Sequence, residues 1–151
     1  MSAKIMVVDD SPNTLRVVGY ALEAEGYEVM TAETGAEALE KISAEQPHLV
    51  VLDIMLPDMT GLQVCHQLRS KVETAEIPIV MLTGKDQIPD KIRGLQAGAD
   101  AYIIKPVKAS TVVARVAEVL EETGTLASEQ PAKVSSQETL PPAEAPANGG
   151  D

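Results

Sequence analysis

The sequence LVVLDIMLPDMTG, residues 49–61, decides the fold of this chain. Four consecutive apolar residues lead directly into a single carboxylate, Asp53, and the chain then turns through Pro57, Asp58 and Gly61. A continuous apolar run of this kind is typical of a strand that is buried on both faces of a parallel sheet. Asp53 is therefore predicted to lie at the carboxyl end of a central strand, where open α/β sheets carry their functional sites. A carboxylate in that position needs a positive or hydrogen-bonding partner.

The composition is that of one ordinary globular domain. The chain has 151 residues, 44% of them hydrophobic, with three Tyr and neither Phe nor Trp, so the core is predicted to be aliphatic. The net charge of −11 argues against nucleic acid as a direct ligand, because neutralising phosphates needs a basic patch. No apolar run approaches the roughly 20 residues of a membrane span, and the amino terminus does not look like a signal peptide. We therefore expect a cytoplasmic protein without membrane contact, and the single Cys65 fits a reducing compartment.

Four further strands are predicted around the central one. Each is a short apolar or alternating run followed by a segment with apolar residues at helical spacing; the runs are residues 4–8, 27–31, 77–82 and 99–104. Five strand-then-helix units indicate an α/β fold with a doubly wound parallel sheet, five helices and the flavodoxin-like strand order 2-1-3-4-5.

The predicted helices have identifiable start signals. Ser11 and Thr34 precede the first two helices, and their hydroxyls can accept hydrogen bonds from first-turn amides. The third helix is predicted at residues 62–71, Asp86 can cap the fourth, and the last begins near Ser110. Asp58 and Gly61, which come just before the third helix, are interpreted as turn residues rather than site residues.

Residues 1–122 are predicted to form the domain, and residues 123–151 a disordered acidic tail rich in Pro and Ala. Ordering about thirty residues costs on the order of 30 to 60 kcal/mol of backbone entropy, which the few apolar residues of the tail cannot offset. The same composition suits a linker to an output domain, and the sequence leaves both interpretations open.

Polar residues stand at the carboxyl ends of four predicted strands. The first and third strands flank the crevice of a doubly wound sheet, so Asp9, Asp10 and Asp53 are expected to converge there. Three carboxylates repel one another unless a cation lies among them, and Mg²⁺ is the hard ion that prefers a few carboxylate oxygens plus waters. Thr83 ends the fourth strand and Lys105 the fifth. Together they offer a metal site, a nucleophile, a hydroxyl donor and a fixed positive charge, as phosphoryl transfer to an aspartate requires.

At these positions the chain resembles the receiver domain of two-component response regulators, of the stand-alone, chemotaxis-regulator-like type. The matching motifs are VVDDS, VLDIMLPDMTG, MLTGK and AYIIKP, at residues 7–11, 51–61, 81–85 and 101–106. The resemblance implies a phosphoacceptor signalling domain rather than an enzyme, in which Asp53 receives a phosphoryl group from a sensor histidine kinase or a histidine phosphotransfer protein. It also implies Mg²⁺ held by Asp9, Asp10, Asp53 and the main-chain carbonyl of Met55.

The resemblance further implies a conformational switch. Lys105 would pair with the phosphoryl group, Thr83 would move to bond it, and Tyr102 would swing between exposed and buried positions. The bond between Lys105 and Pro106 would be cis. The surface formed by the fourth helix, fifth strand and fifth helix would then control a downstream protein partner, in a monomer or a phosphorylation-dependent dimer.

Two positions depart from the most familiar members of this family. Met55, two residues after Asp53, stands where family members tune access of the hydrolytic water, as does Lys85, two residues after Thr83. An apolar side chain offers that water no hydrogen bond, so we expect slow to moderate autodephosphorylation.

Two other classes fit less well. Phosphatases with an aspartyl-phosphate intermediate usually place two acidic residues one apart after the first strand, whereas Asp9 and Asp10 are adjacent. A flavodoxin-like cofactor carrier needs a first loop that cradles phosphate, and the loop after the first strand lacks the Gly-rich or Ser/Thr-rich sequence for it.

Overall fold

The computed structural model describes residues 2–84 and 98–124. The strands are β1 (Lys4–Val8), β2 (Glu28–Ala32), β3 (Leu49–Asp53), β4 (Ile79–Thr83) and β5 (Ala101–Ile104). The helices in these ranges are α1 (Pro12–Ala24), α2 (Gly35–Glu45), α3 (Gly61–Arg69) and a C-terminal helix (Ala109–Glu122). All strand pairs are parallel and the order is β2-β1-β3-β4-β5, which confirms the predicted doubly wound fold. The helix predicted to start at Asp86 and the predicted tail from residue 125 onwards lie outside the described residues.

The central strand β3 is buried along its whole length. Leu49 and Val51 point into a core layer shared with α1 and the C-terminal helix, whereas Val50 and Leu52 point into a second layer with α2 and α3. Burying an aliphatic side chain of this size contributes about 1.5 to 3 kcal/mol, and a strand covered on both faces gains it at every position. This is why the run before Asp53 contains no polar residue.

The predicted helix starts at Ser11 and Thr34 are confirmed. The Ser11 hydroxyl accepts from the Thr14 amide at 3.2 Å, and the Thr34 hydroxyl accepts from the Glu37 amide at 3.0 Å. A third cap, Thr60, was not among the predicted ones and starts α3 at Gly61.

Three strands begin later than predicted. β2 starts at Glu28 because the Tyr27 amide donates to the Leu22 carbonyl and so closes the end of α1. β4 and β5 start at Ile79 and Ala101, two residues late, because the Asp100 carboxylate accepts the Ile79 amide at 2.8 Å. The Ile79 amide is thus bonded by a side chain, while the Ile79 carbonyl still accepts from the Asp100 amide at 2.8 Å. Helix α3 also ends two residues before the predicted boundary.

None of the helices within residues 2–84 and 98–124 combines the length and the apolar character that crossing a bilayer requires.

Candidate functional site

Three carboxylates lie together where β1 and β3 end. Asp53 is the last residue of β3 and is 1% exposed, Asp9 directly follows β1 and is 2% exposed, and Asp10 is exposed. Each offers an oxygen that lies within 4.8 Å of the other two. The parallel register, which pairs Val8 with Leu52, brings both strand ends to the same edge of the sheet. The structure therefore brings these residues together as the sequence predicts.

Both carboxylate oxygens of Asp53 have hydrogen-bond partners. Oδ1 accepts from the backbone amide of Met55 at 3.1 Å, and Oδ2 accepts from Lys105 Nζ at 2.9 Å. Asp53 is buried and the Lys105 side chain is about one-third exposed, so this ion pair is open to solvent on the lysine side. The arrangement presents a carboxylate, which can act as a nucleophile, at a position fixed by two hydrogen bonds.

Asp9 is in a less favourable environment. Its Oδ1 accepts from the Ser11 amide at 2.9 Å, but burial, helped by the charge and a side-chain hydrogen bond of Asp53, raises its pKa to about 6. The Ser11 amide and the charge of Lys105 oppose this rise only in part. A buried carboxyl whose charge is disfavoured by a neighbouring carboxylate is one that a bound divalent cation would relieve.

The predicted switch residues lie on the two strands beyond β3. Thr83 ends β4, is fully buried, and its hydroxyl donates to the Gly84 carbonyl at 3.3 Å. Its own carbonyl accepts from the Lys105 amide at 2.7 Å, so β4 and β5 are tied together beside the site. Tyr102 is half-buried in β5, opposite Met81, and packs against the core layer under α2 and α3. The bond between Lys105 and Pro106 is cis, as predicted.

The loop between β3 and α3 contains the residue that the sequence interpretation missed. Asp58 accepts from the amides of Gly35 at 2.8 Å and Ala36 at 2.9 Å, so it also caps α2 and is more than a turn residue. These two bonds hold the pKa of Asp58 below its usual value. Gly61 is required for close approach, since a Cβ there would clash with the Asp53 carbonyl oxygen. No local pattern marks Asp58, because its partners lie more than twenty residues earlier in the chain.

The sequence profile of the response regulator receiver domain family matches residues 5–117. The chain belongs to this family. The chain is 48% identical over 120 residues to PhoP, the alkaline phosphatase synthesis transcriptional regulatory protein of Bacillus subtilis (strain 168). The matched region is 80% of this chain and 49% of that protein. The chain spans about half the length of the curated relatives it matches.

Solved structures agree with this assignment. A putative response regulator from Chloroflexus aurantiacus J-10-fl superposes with a TM-score of 0.76 at 34% identity, covering 80% of this chain and 99% of the other. The Vibrio cholerae chemotaxis protein CheY4 has a TM-score of 0.75 at 32% identity, covering 80% of this chain and 100% of its own. The resemblance to receiver domains is confirmed, and the chain is a signalling domain of the two-component type.

Proposed function

We propose that this receiver domain accepts a phosphoryl group on Asp53 from a sensor histidine kinase or a histidine phosphotransfer protein, and that phosphorylation changes its affinity for a downstream protein. The observation that carries the proposal is the environment of Asp53. It is a buried carboxylate at a strand end, held by the Met55 amide and the Lys105 ammonium, and its oxygens lie within 4.8 Å of those of Asp9 and Asp10.

In the proposed transfer, an oxygen of Asp53 bonds to phosphorus as the phosphorus–nitrogen bond of the donor phosphohistidine breaks. The electron pair of that bond returns to the imidazole, which takes up a proton from solvent, and Asp53 becomes an acyl phosphate. Lys105 already lies 2.9 Å from Oδ2 and can offset the charge that the phosphoryl group brings. The Thr83 hydroxyl would exchange the Gly84 carbonyl for a phosphoryl oxygen.

Asp9, Asp10 and Asp53 fit a Mg²⁺ ion. Their oxygens lie within 4.8 Å of one another, and the pKa of Asp9, raised by burial and by the charge of Asp53, would be lowered by a bound cation. The main-chain carbonyl of Met55 would be a further ligand. When bound, Mg²⁺ supplies charge stabilisation for the transferring phosphoryl oxygens.

The proposed output follows from the position of Thr83 and Tyr102 on β4 and β5. Recruiting Thr83 to a phosphoryl group would change the packing beside Tyr102 and so alter the surface formed by the predicted fourth helix, β5 and the C-terminal helix. Moving such a two-state element from mostly inactive to mostly active needs a difference in free energy between the two states of about 5.5 kcal/mol. A partner that binds the active state more tightly can supply part of it. A monomer or a phosphorylation-dependent dimer fits this scheme.

Two expectations about location and ligands remain predictions. PhoP is named a transcriptional regulatory protein and is about twice as long as the matched region. That this chain makes no direct contact with nucleic acid stays a prediction. The cytoplasmic location expected for this chain likewise stays a prediction from the sequence.

The proposal is tested by intact-mass measurement after incubation with acetyl phosphate. We expect the native chain to gain one phosphoryl group, about 80 Da, only with Mg²⁺, and Asp53→Asn to gain none. Asp100→Asn, at the opposite end of the sheet, is the matched control and should gain as much as the native chain. Equal uptake by Asp53→Asn would contradict the proposal, as would no uptake by the native chain from acetyl phosphate or a phosphorylated histidine protein.

A further inference from the structure

The loop between β3 and α3, residues 54–60, is fastened at its base and at its tip. At the base, the Gly61 amide donates to the Ile54 carbonyl at 2.7 Å, and Met55 and Thr60 form an antiparallel bridge. At the tip, Asp58 reaches the first turn of α2 through the two amide bonds described above. The loop is thus closed on itself and attached to a separate helix.

The attachment uses groups that a helix start leaves without intrahelical partners. Thr34 already satisfies the Glu37 amide, and Asp58 satisfies those of Gly35 and Ala36. A carboxylate at a helix amino terminus is also favoured by the helix dipole. Asp58 is exposed to solvent, yet two charge-assisted bonds hold it in one place.

The same loop brings a backbone amide to the phosphoacceptor. Met55, three residues before Asp58, donates its amide to Asp53 Oδ1 at 3.1 Å. A continuous series of contacts therefore runs from the α2 amides through Asp58 and the loop to the Asp53 carboxylate. If the tip were released, only the bonds at the base of the loop would fix the Met55 amide.

We propose that Asp58 is a positioning residue for the phosphoacceptor: by attaching the loop to α2, it holds the Met55 amide on Asp53 Oδ1 and so fixes the orientation of the reacting carboxylate. The consequence for phosphorylation rests on the function proposed above for Asp53. The geometric part, the hold of Asp58 on the Met55 amide, stands independently of that function.

The first test measures hydrogen exchange of the Met55 amide by NMR in the full chain without phosphate donor. We expect exchange to be about tenfold faster in Asp58→Ala and to rise less in Asp58→Asn, which keeps one oxygen acceptor. Thr34→Ala is the matched control because it removes a cap from the same helix without touching the loop. It should leave Met55 exchange within about twofold of the native rate. Unchanged exchange in Asp58→Ala, or an equal increase in Thr34→Ala, overturns the proposal.

The second test measures the rate of phosphoryl uptake from acetyl phosphate for the same variants. We expect a fall of about three- to tenfold in Asp58→Ala, a smaller fall in Asp58→Asn, and a rate within about twofold of native in Thr34→Ala. Faster Met55 exchange with a native uptake rate overturns the positioning role. If the native chain itself takes up no phosphoryl group, the function proposed for Asp53 fails, and the exchange measurement alone then decides whether Asp58 holds the Met55 amide.

Discussion

At the carboxyl end of the sheet, Asp9 and Asp53 are buried side by side and face the Lys105 ammonium, which bonds only Asp53 among the described residues. At the amino end, Arg69 meets a different environment. Its guanidinium donates to the carbonyls of Gly98, Ala75 and Ile77, at distances from 2.6 to 3.0 Å.

Asp100 completes the amino-end network. Its Oδ2 lies 3.0 Å from Arg69 Nη2 and also accepts the Ile79 amide at 2.8 Å. The planar guanidinium serves several acceptors from one side chain, which a lysine could not do. The network ties the end of α3 to the starts of β4 and β5.

The contrast separates two uses of charge in one small domain. At the amino end, the chain supplies donors for its own acceptors, so the charges contribute to stability. At the carboxyl end, the carboxylates outnumber the cation they face, and burial, with the charge of Asp53, raises the pKa of Asp9. That arrangement lowers stability but leaves the site ready for a ligand that brings positive charge.

The largest effect on stability is expected at Arg69. Arg69→Met keeps the aliphatic stem but removes every donor, so half-buried carbonyls lose their partners, and we expect the free energy of unfolding to fall by about 3 kcal/mol. Urea unfolding with an unchanged m value measures this loss. Arg16→Met, on the exposed face of α1, is the matched control and should change stability by less than about 0.5 kcal/mol. A lower Mg²⁺ affinity in folded Arg69→Met would contradict the division, because it would show that the charges at the amino end also affect ligand binding at the carboxyl end.

A smaller effect of opposite sign is expected at Asp9. Its pKa is about 6 in the folded chain and about 4 when unfolded, so between these values the folded state binds more protons. Without Mg²⁺, this residue therefore favours folding at low pH, and its contribution is lost as pH rises through about 6. From about pH 5 to pH 7.5, Asp9→Asn should gain stability relative to the native chain by on the order of 1 kcal/mol.

Calorimetric titration of Mg²⁺ checks the same group from the ligand side. Protons compete with the cation for Asp9, so the affinity of the native chain should fall as pH drops below about 6. Asp9→Asn should bind Mg²⁺ more weakly at neutral pH and lose most of this pH dependence. For the stability measurement, a difference between Asp9→Asn and the native chain that does not vary with pH would show that the pKa of Asp9 is not raised by its environment.

The carboxyl-end residues could be predicted because strand ends are visible in the sequence. A buried parallel strand is a continuous apolar run, and the residue that ends it, Asp53 or Thr83, lies at the crevice in any doubly wound sheet. The fold, the strand order and the convergence of the three carboxylates followed from this logic together with the resemblance to receiver domains.

Arg69 and Asp58 could not be predicted in the same way. Their partners are backbone carbonyls and amides, which every residue carries, and these lie up to 29 residues away for Arg69 and 23 for Asp58. Neither residue type nor spacing marks such a bond. The late starts of β4 and β5 have the same origin, because the Asp100 side chain accepts an amide that the apolar pattern had assigned to strand pairing.

The smallest expected effect concerns Met55, a residue that is 56% exposed while its amide donates to Asp53. An apolar side chain there cannot orient a water for attack on the proposed acyl phosphate of Asp53. Met55→Gln supplies a hydrogen-bond donor and an acceptor on a side chain of similar length. We therefore expect the phosphoryl group to be lost about three- to fivefold faster, which corresponds to a decrease of less than about 1 kcal/mol in the activation free energy of hydrolysis. Met55→Leu, which adds no polar group, should keep the native rate within about twofold.

Dephosphorylation can be followed by intact mass after the phosphate donor is removed, with Mg²⁺ held constant. Equal acceleration in Met55→Gln and Met55→Leu would assign the effect to loop packing and not to water orientation. A native half-life of only seconds would contradict the expectation of slow to moderate hydrolysis. Faster loss of the phosphoryl group in Met55→Gln alone would place control of the phosphorylated lifetime in one exposed side chain, whereas the backbone amide of the same residue donates to Asp53.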